Sequence, residues 1–281
     1  YIFLLDSSFF CIKSYNHIDG RYDECLKCLK GNYENIKIYS CKTFPKNDKY
    51  YLSFIKKLKQ YSDEGKLGFI AQNNNQALLA KKHFGEKADV FVSGLWTNDM
   101  EMSMTVDKDK FQEKNLDYVL FHGSPLSAKG VFFTIELARN CHEIRFIFPF
   151  KRAALGNYDV PKNCIFIDMN WNSGLKEYAI NAKFVFVPSL NSAPIESALI
   201  KSIFFTRAVC VVDINNAFSN EIDNNVILKL PRNLDEASKI FIDAFDKNWS
   251  PDKLSLERFI KNHTNKNKKF LDNINIFLSH N

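Results

Sequence analysis

Cys11, Cys25, Cys28 and Cys41 crowd the start of this chain. Cys25 and Cys28 have the two-residue gap that lets both thiolates of one turn meet one ion. Cys11 and Cys41 lie at distances a loop can close, so the set is read as a structural zinc site with Zn–S bonds of about 2.3 Å. His17 can replace one thiol. Unconnected thiols are the main alternative, since Cys141, Cys164 and Cys210 read as ordinary buried cysteines further on. Disulfides or an iron–sulfur cluster are less favoured, because the seven cysteines are odd in number and no secretory leader is visible.

Two further stretches carry chemistry of another kind. Phe121-His-Gly-Ser-Pro-Leu-Ser-Ala-Lys-Gly130 is a strand end followed by Gly123, small residues such as Ser124, and Lys129 where a helix opens. Backbone N–H groups at a helix start favour a phosphate, and a lysine there adds a point charge. The plain reading is a strand-to-helix turn of the ordinary α/β kind. Asn191-Ser-Ala-Pro-Ile-Glu196 follows a buried strand directly, and its small residues Ser192 and Ala193 leave room for a ligand at a helix expected from Pro194. Glu196 can accept two ribose hydroxyls; its plain reading is an acid complementing the helix dipole.

The elements that position these residues are legible from periodicity. Strands are expected at Tyr1 to Leu5, Leu67 to Gln72 and Asp89 to Gly94, with helices near residues 50–61 and 76–84. From Asp117 the alternation is regular: strands at Tyr118, Arg145, Cys164, Phe184 and Ala208 and helices at residues 131–140, 174–179, 194–204 and 235–245. Near-continuous Phe, Ile and Val strands between helices call for a parallel sheet covered on both faces. The expected organisation is a partial Rossmann-like unit with the cysteine loop over 1–97, a complete Rossmann-like domain over 98–250, and terminal helices over 251–281 packing back on the first unit. Thr97 to Glu113 reads as the hinge. The start at Tyr1, inside an apolar run, suggests a piece of a longer polypeptide. The 281 residues are 46% hydrophobic, enough for two cores, and the net charge of +6 favours acidic partners without naming one. The lysines are dispersed and form no basic stripe with interleaved aromatics, which argues against nucleic acid. No apolar stretch approaches the roughly 20 residues that cross a bilayer.

The order of these features resembles the GT-B glycosyltransferases, in particular the bacterial polysaccharide and glycan enzymes of the family-four type. The residues that carry the likeness run through most of 117–245: the Gly123 loop, Lys129-Gly130 opening a helix, Ala182 to Ser189, the helix bearing Glu196, and Ala208 to Asp213. Leu5-Asp6-Ser-Ser-Phe-Phe-Cys11 matches the start of members that carry a His-Asp strand end, then a Cys and a later Cys-x-x-Cys. The resemblance implies that Lys129 holds the donor diphosphate and Glu196 the donor ribose, with Gly123, Ser124, Asn191, Ser192 and Ala193 around them. It departs from the pattern at Ser124, where an Arg is expected, at Leu5, where a His is expected, and in the loop Ser189 to Pro194, which lacks the first Glu of a Glu-x7-Glu pair. The expected activity is transfer of a sugar from a nucleotide-sugar donor to a glycan or lipid-linked acceptor, with Asp6 as the catalytic acid. The setting expected is the cytoplasm, at the inner face of a membrane if the basic charge meets anionic lipid. The rival reading is a non-catalytic sugar-nucleotide or glycan-binding subunit of the same fold.

Overall fold

A computed structural model describes residues 1–95 and 116–279. The expected boundary near 97 and the hinge Thr97 to Glu113 lie outside the described residues. The first unit holds β1 (Ile2–Phe3), the cysteine loop with the short α1 (Asn35–Ile38), α2 (Tyr51–Asp63), β2 (Phe69–Ala71), α3 (Asn74–Phe84) and β3 (Val90–Val92). Its three strands pair in parallel in the order β1-β2-β3. The Asn73 side chain caps α3 by accepting the Gln76 N–H at 2.9 Å, and Gly85, at φ 116°, ends the helix.

The second unit is a six-stranded parallel sheet: β4 (Leu116–Phe121), β5 (Arg145–Phe148), β6 (Cys164–Phe166), β7 (Ala182–Phe186), β8 (Val209–Val212) and β9 (Leu228–Leu230). Its helices are α4 (Val131–Asn140), α5 (Lys176–Asn181), α6 (Ser197–Phe205) and α7 (Leu234–Asp246). The strand order is β6-β5-β4-β7-β8-β9, the doubly wound Rossmann arrangement, which reverses direction between β4 and β7. Successive strand side chains face opposite ways. Val119, Phe121, Phe146, Phe148, Phe184 and Phe186 therefore pack under α4 and α7. Tyr118, Leu120, Ile147, Val185, Val209 and Val211 pack on the other face under α5 and α6. β9 escapes a pattern search because it is three residues with Lys229 at its centre.

Two terminal helices follow, α8 (Lys253–Lys268) and α9 (Phe270–Ser279). Leu256, Phe259 and Ile260 of α8 cover the second unit's core. Asn267, near its end, accepts the Leu95 N–H at 2.6 Å, and Phe270 meets Phe3 edge-on at 5.7 Å. Among the described residues no helix is long and apolar enough to cross a membrane.

One local expectation is corrected. The helix expected from Pro194 begins at Ser197, with Glu196 extended at φ −90°, ψ 125°. Pro194 is not at N1, and the 189–196 stretch is a loop. Its backbone is held away from helix by contacts from elsewhere: the Ser192 N–H goes to Asn16 Oδ1 at 3.0 Å, and the Ala193 carbonyl accepts the Phe218 N–H at 2.8 Å.

Candidate functional site

The ends of β4 and β7 meet where the strand order reverses, the place where open α/β sheets take ligands. Two loops leave from there, His122 to Gly130 and Val187 to Glu196. They are stitched together, with the Leu190 N–H on the Ala128 carbonyl at 2.9 Å and Gly130 pressed against Pro188. Gly130 has φ 74°, left-handed space that suits glycine.

This arrangement brings Lys129 and Glu196 into contact. Their side chains form an ion pair, only 16% and 13% exposed. Ser189 Oγ donates to the same Glu196 oxygen at 2.8 Å. Burial works to lower the Lys129 pKa, and the Glu196 carboxylate more than offsets it, leaving the ammonium raised and charged. The Tyr15 ring lies 4.7 Å from Lys129 Nζ. Gly123 and Ser124 sit in the same loop, Ser124 exposed. Asn191, Ser192 and Ala193 are buried, and Asn191 Oδ1 has no hydrogen-bond partner among the described residues. A buried acceptor without a donor is costly, so the loop after β7 is held here at the expense of one unmade hydrogen bond.

The first unit then closes over the loops through a strap, residues 15–24, from which the sequence singled out only His17, and that as a metal ligand. Asn16 donates to Ser192 Oγ at 2.8 Å as well as accepting its N–H. His17 Nδ1 faces the Asp23 and Leu190 carbonyls at 3.1 and 3.2 Å, and Nε2 faces Ser127 Oγ at 3.0 Å. Carbonyls only accept, so Nδ1 carries the proton and Nε2 accepts from the Ser127 hydroxyl. Burial lowers the His17 pKa, which keeps this neutral tautomer. Glu24 bonds Ser192 Oγ and takes the Asn216 side-chain N–H at 2.6 Å; burial raises its pKa despite those bonds. Arg232 holds Asp23 at 2.6 Å, and Tyr22 meets Phe133 edge-on at 5.0 Å. These residues sit in an irregular polar loop without periodicity, so only their tertiary neighbours identify them. Asp6 accepts the Ser8 N–H at 2.8 Å and neighbours Tyr51, contacts that lie within the first unit.

The strap is bracketed by Cys11 and Cys25. Together with Cys28, Cys41 and His17 they line one cavity of about 10 Å³. The four thiols thus share one small space, as a zinc site requires. As they stand, however, no three His, Cys, Asp or Glu among the described residues form a group that could hold a metal. The donor types suit zinc, but the thiols are not drawn together around one point, so the expected zinc site is not formed among the described residues. The loop also has apolar packing of its own, because Cys11 and Cys28 belong to the first unit's apolar core with Phe9, Phe10 and Phe84. That burial pushes the Cys11 thiol to about 12 and Cys28 to about 11, so both are protonated without a cation beside them.

No protein-family model matches the chain, and no curated protein sequence matches it. Solved structures do. Sucrose-phosphate synthase from Thermosynechococcus elongatus superposes with a TM-score of 0.61 at 13% identity, over 87% of this chain and 65% of that one. AviGT4, a glycosyltransferase of avilamycin A biosynthesis, gives 0.53 at 14%, over 75% and 64%. A variant of S. aureus TarM, solved with fondaparinux, alpha-GlcNAc-glycerol and UDP, gives 0.54 at 12%, over 82% and 46%. The chain spans less than two thirds of the length of each. Two parallel Rossmann-like sheets, one of three strands and one of six, joined through the hydrogen bonds of the strap, match these structures in their GT-B fold.

Proposed function

We propose that the protein is a glycosyltransferase that moves a sugar from a nucleotide-sugar donor to a glycan or lipid-linked acceptor, in a cytoplasmic setting. The observation that carries this reading is the meeting of Lys129 and Glu196 at the point where the strand order reverses. Lys129 would stabilise charge on the leaving diphosphate, and Glu196 would accept ribose hydroxyls. Both roles require their mutual ion pair to open. Gly123, Ser124, Ser192 and Ala193 would border the donor, and Asp6 is the acid we assign to the acceptor side. Zinc, if bound, would be structural, held by Cys11, Cys25, Cys28 and Cys41.

A second reading has its own support. The strap saturates Ser192 and the Leu190 carbonyl, and Lys129 and Glu196 satisfy each other. With the donor-binding groups satisfied internally, that favours a glycan-binding subunit of the same fold in which transfer has been lost.

A thermal-shift panel of UDP-, GDP-, CMP- and dTDP-sugars tests the donor, since a ligand that binds only the folded state raises its apparent stability. Titration of the stabilising nucleotide into Lys129→Ala should show affinity down about ten- to a hundredfold, the loss of one charge-assisted contact. Hydrolysis or transfer of the sugar separates enzyme from binding subunit. If no nucleotide shifts the wild type, or if Lys129→Ala binds as tightly, the donor assignment fails.

A further inference from the structure

We propose that a cavity of about 300 Å³ between the cysteine loop and the turn before Lys129 is a second binding site, for a sugar bearing one carboxylate or phosphate. Its volume is at the low end for small-molecule sites, the size of one monosaccharide. The site deepens the glycosyltransferase reading by giving the acceptor a chemical class, and it rests on that reading only for the word acceptor.

The lining specifies the ligand by complementarity. Lys13 and Lys42 bring two ammonium groups against one carboxylate, Asp19. Lys13 Nζ spends one donor on the His17 carbonyl at 3.1 Å and has two left, and Lys42 is exposed. This favours an anion on the ligand. Two hydroxyls on the wall have already spent their protons: Ser127 on His17 Nε2 at 3.0 Å, and Thr43 on the Asp48 carbonyl at 3.2 Å. Each oxygen can now only accept, so the ligand must present hydroxyl donors. Tyr15 and Phe44, with ring centroids 5.7 Å apart, supply the apolar surface that a sugar's C–H face can cover. An anion, several hydroxyls and an apolar face on one small ring describe a sugar acid or sugar phosphate. A free inorganic anion would use the lysines alone, and a neutral sugar would leave them unused.

The cavity is also placed for the role. Leu126, Ser127 and Ala128, the turn that leads into Lys129, form one wall. Tyr15 is shared, because its ring lies against Lys129 Nζ at 4.7 Å. A ligand here would sit next to the donor residues without competing for them.

The test is calorimetric titration of the full chain with glucose 6-phosphate, glucuronate, glucose and inorganic phosphate. At least one charged sugar should bind about tenfold or more tightly than both glucose and phosphate. Lys42→Ala, which changes an exposed side chain, should weaken it about fivefold or more, and Lys42→Arg should restore it. Phe44→Ala should weaken charged sugar and glucose alike. UDP titrated into the same variants should be unaffected, so a failure of UDP to bind speaks only to the donor reading. The proposal is overturned if glucose or phosphate alone binds as well as the charged sugars, if none binds, or if Lys42→Ala leaves the affinity unchanged.

Discussion

Asn16 and Ser192 are joined twice, the Asn16 carboxamide accepting the Ser192 N–H at 3.0 Å and donating to its hydroxyl at 2.8 Å. A group of the first unit thus occupies the backbone donor that the loop after β7 would otherwise offer to a ligand. Asn16→Ala strands that N–H in a buried place, at a cost of about 1–3 kcal/mol in unfolding free energy. The same change should raise the affinity for a nucleoside diphosphate, because the ligand no longer displaces the strap. Denaturant unfolding and UDP titration measure the two effects, and a loss of both stability and UDP affinity would show that the strap belongs to the binding surface.

Lys129 and Glu196 are buried enough that each depends on the other. Glu196→Gln leaves a shielded ammonium facing an amide, and Lys129→Ala leaves Glu196 with Ser189 as its remaining donor. Both should destabilise, and a double-mutant cycle on unfolding should return a coupling energy above about 1 kcal/mol. Additive single effects would mean the pair contributes nothing beyond its parts.

Gly130→Ala should be among the most damaging single-methyl changes in the chain. The residue has φ 74°, and the new Cβ would run into the Pro188 carbonyl with Pro188 Cβ 2.9 Å away. Left-handed strain and a backbone clash together should cost roughly 2–4 kcal/mol. A melting temperature within a degree or two of wild type would contradict the close approach of the two loops.

The cysteine cavity makes a metal prediction. Adding zinc to reduced protein should bind about one ion, release protons as the high-pKa thiols of Cys11 and Cys28 ionise, and raise stability. Cys28→Ser should remove most of that gain. Zinc uptake unchanged in Cys28→Ser, or no uptake, would leave Cys11 and Cys28 as core residues and Cys25 and Cys41 as half-buried thiols with no shared role.

Burial pushes His83, His122 and His263 down to about 4 from the usual 6.5. His83 and His263 each keep one buried ring nitrogen without a partner among the described residues. Between those values the unfolded chain binds more protons than the folded one, so stability is full above pH 6.5 and falls as pH drops towards 4. The loss should be on the order of 2–3 kcal/mol per histidine, and His122→Gln should flatten part of the slope. A stability profile level from pH 7 to 4.5 would exclude the buried neutral forms.

Sequence alone determined the elements whose signal is local. Phe184 to Phe186 and Val209 to Val212 read as buried strands because their side chains are apolar on both faces, and 131–140 read as a helix because its apolar stripe repeats at helical spacing. The same logic put Lys129 after one strand and Glu196 after another, and the regular alternation implied a doubly wound sheet. Tertiary structure alone decided what those residues touch. That Lys129 pairs with Glu196 depends on β4 and β7 being neighbours across the reversal of strand order, a relation between segments 67 residues apart. The helix start at Ser197 instead of Pro194, and the closing strap of Asn16, His17 and Glu24, depend on side-chain hydrogen bonds spanning up to 192 residues. Such bonds form only once two sheets have packed, and a polar loop carries no periodicity that could announce them beforehand.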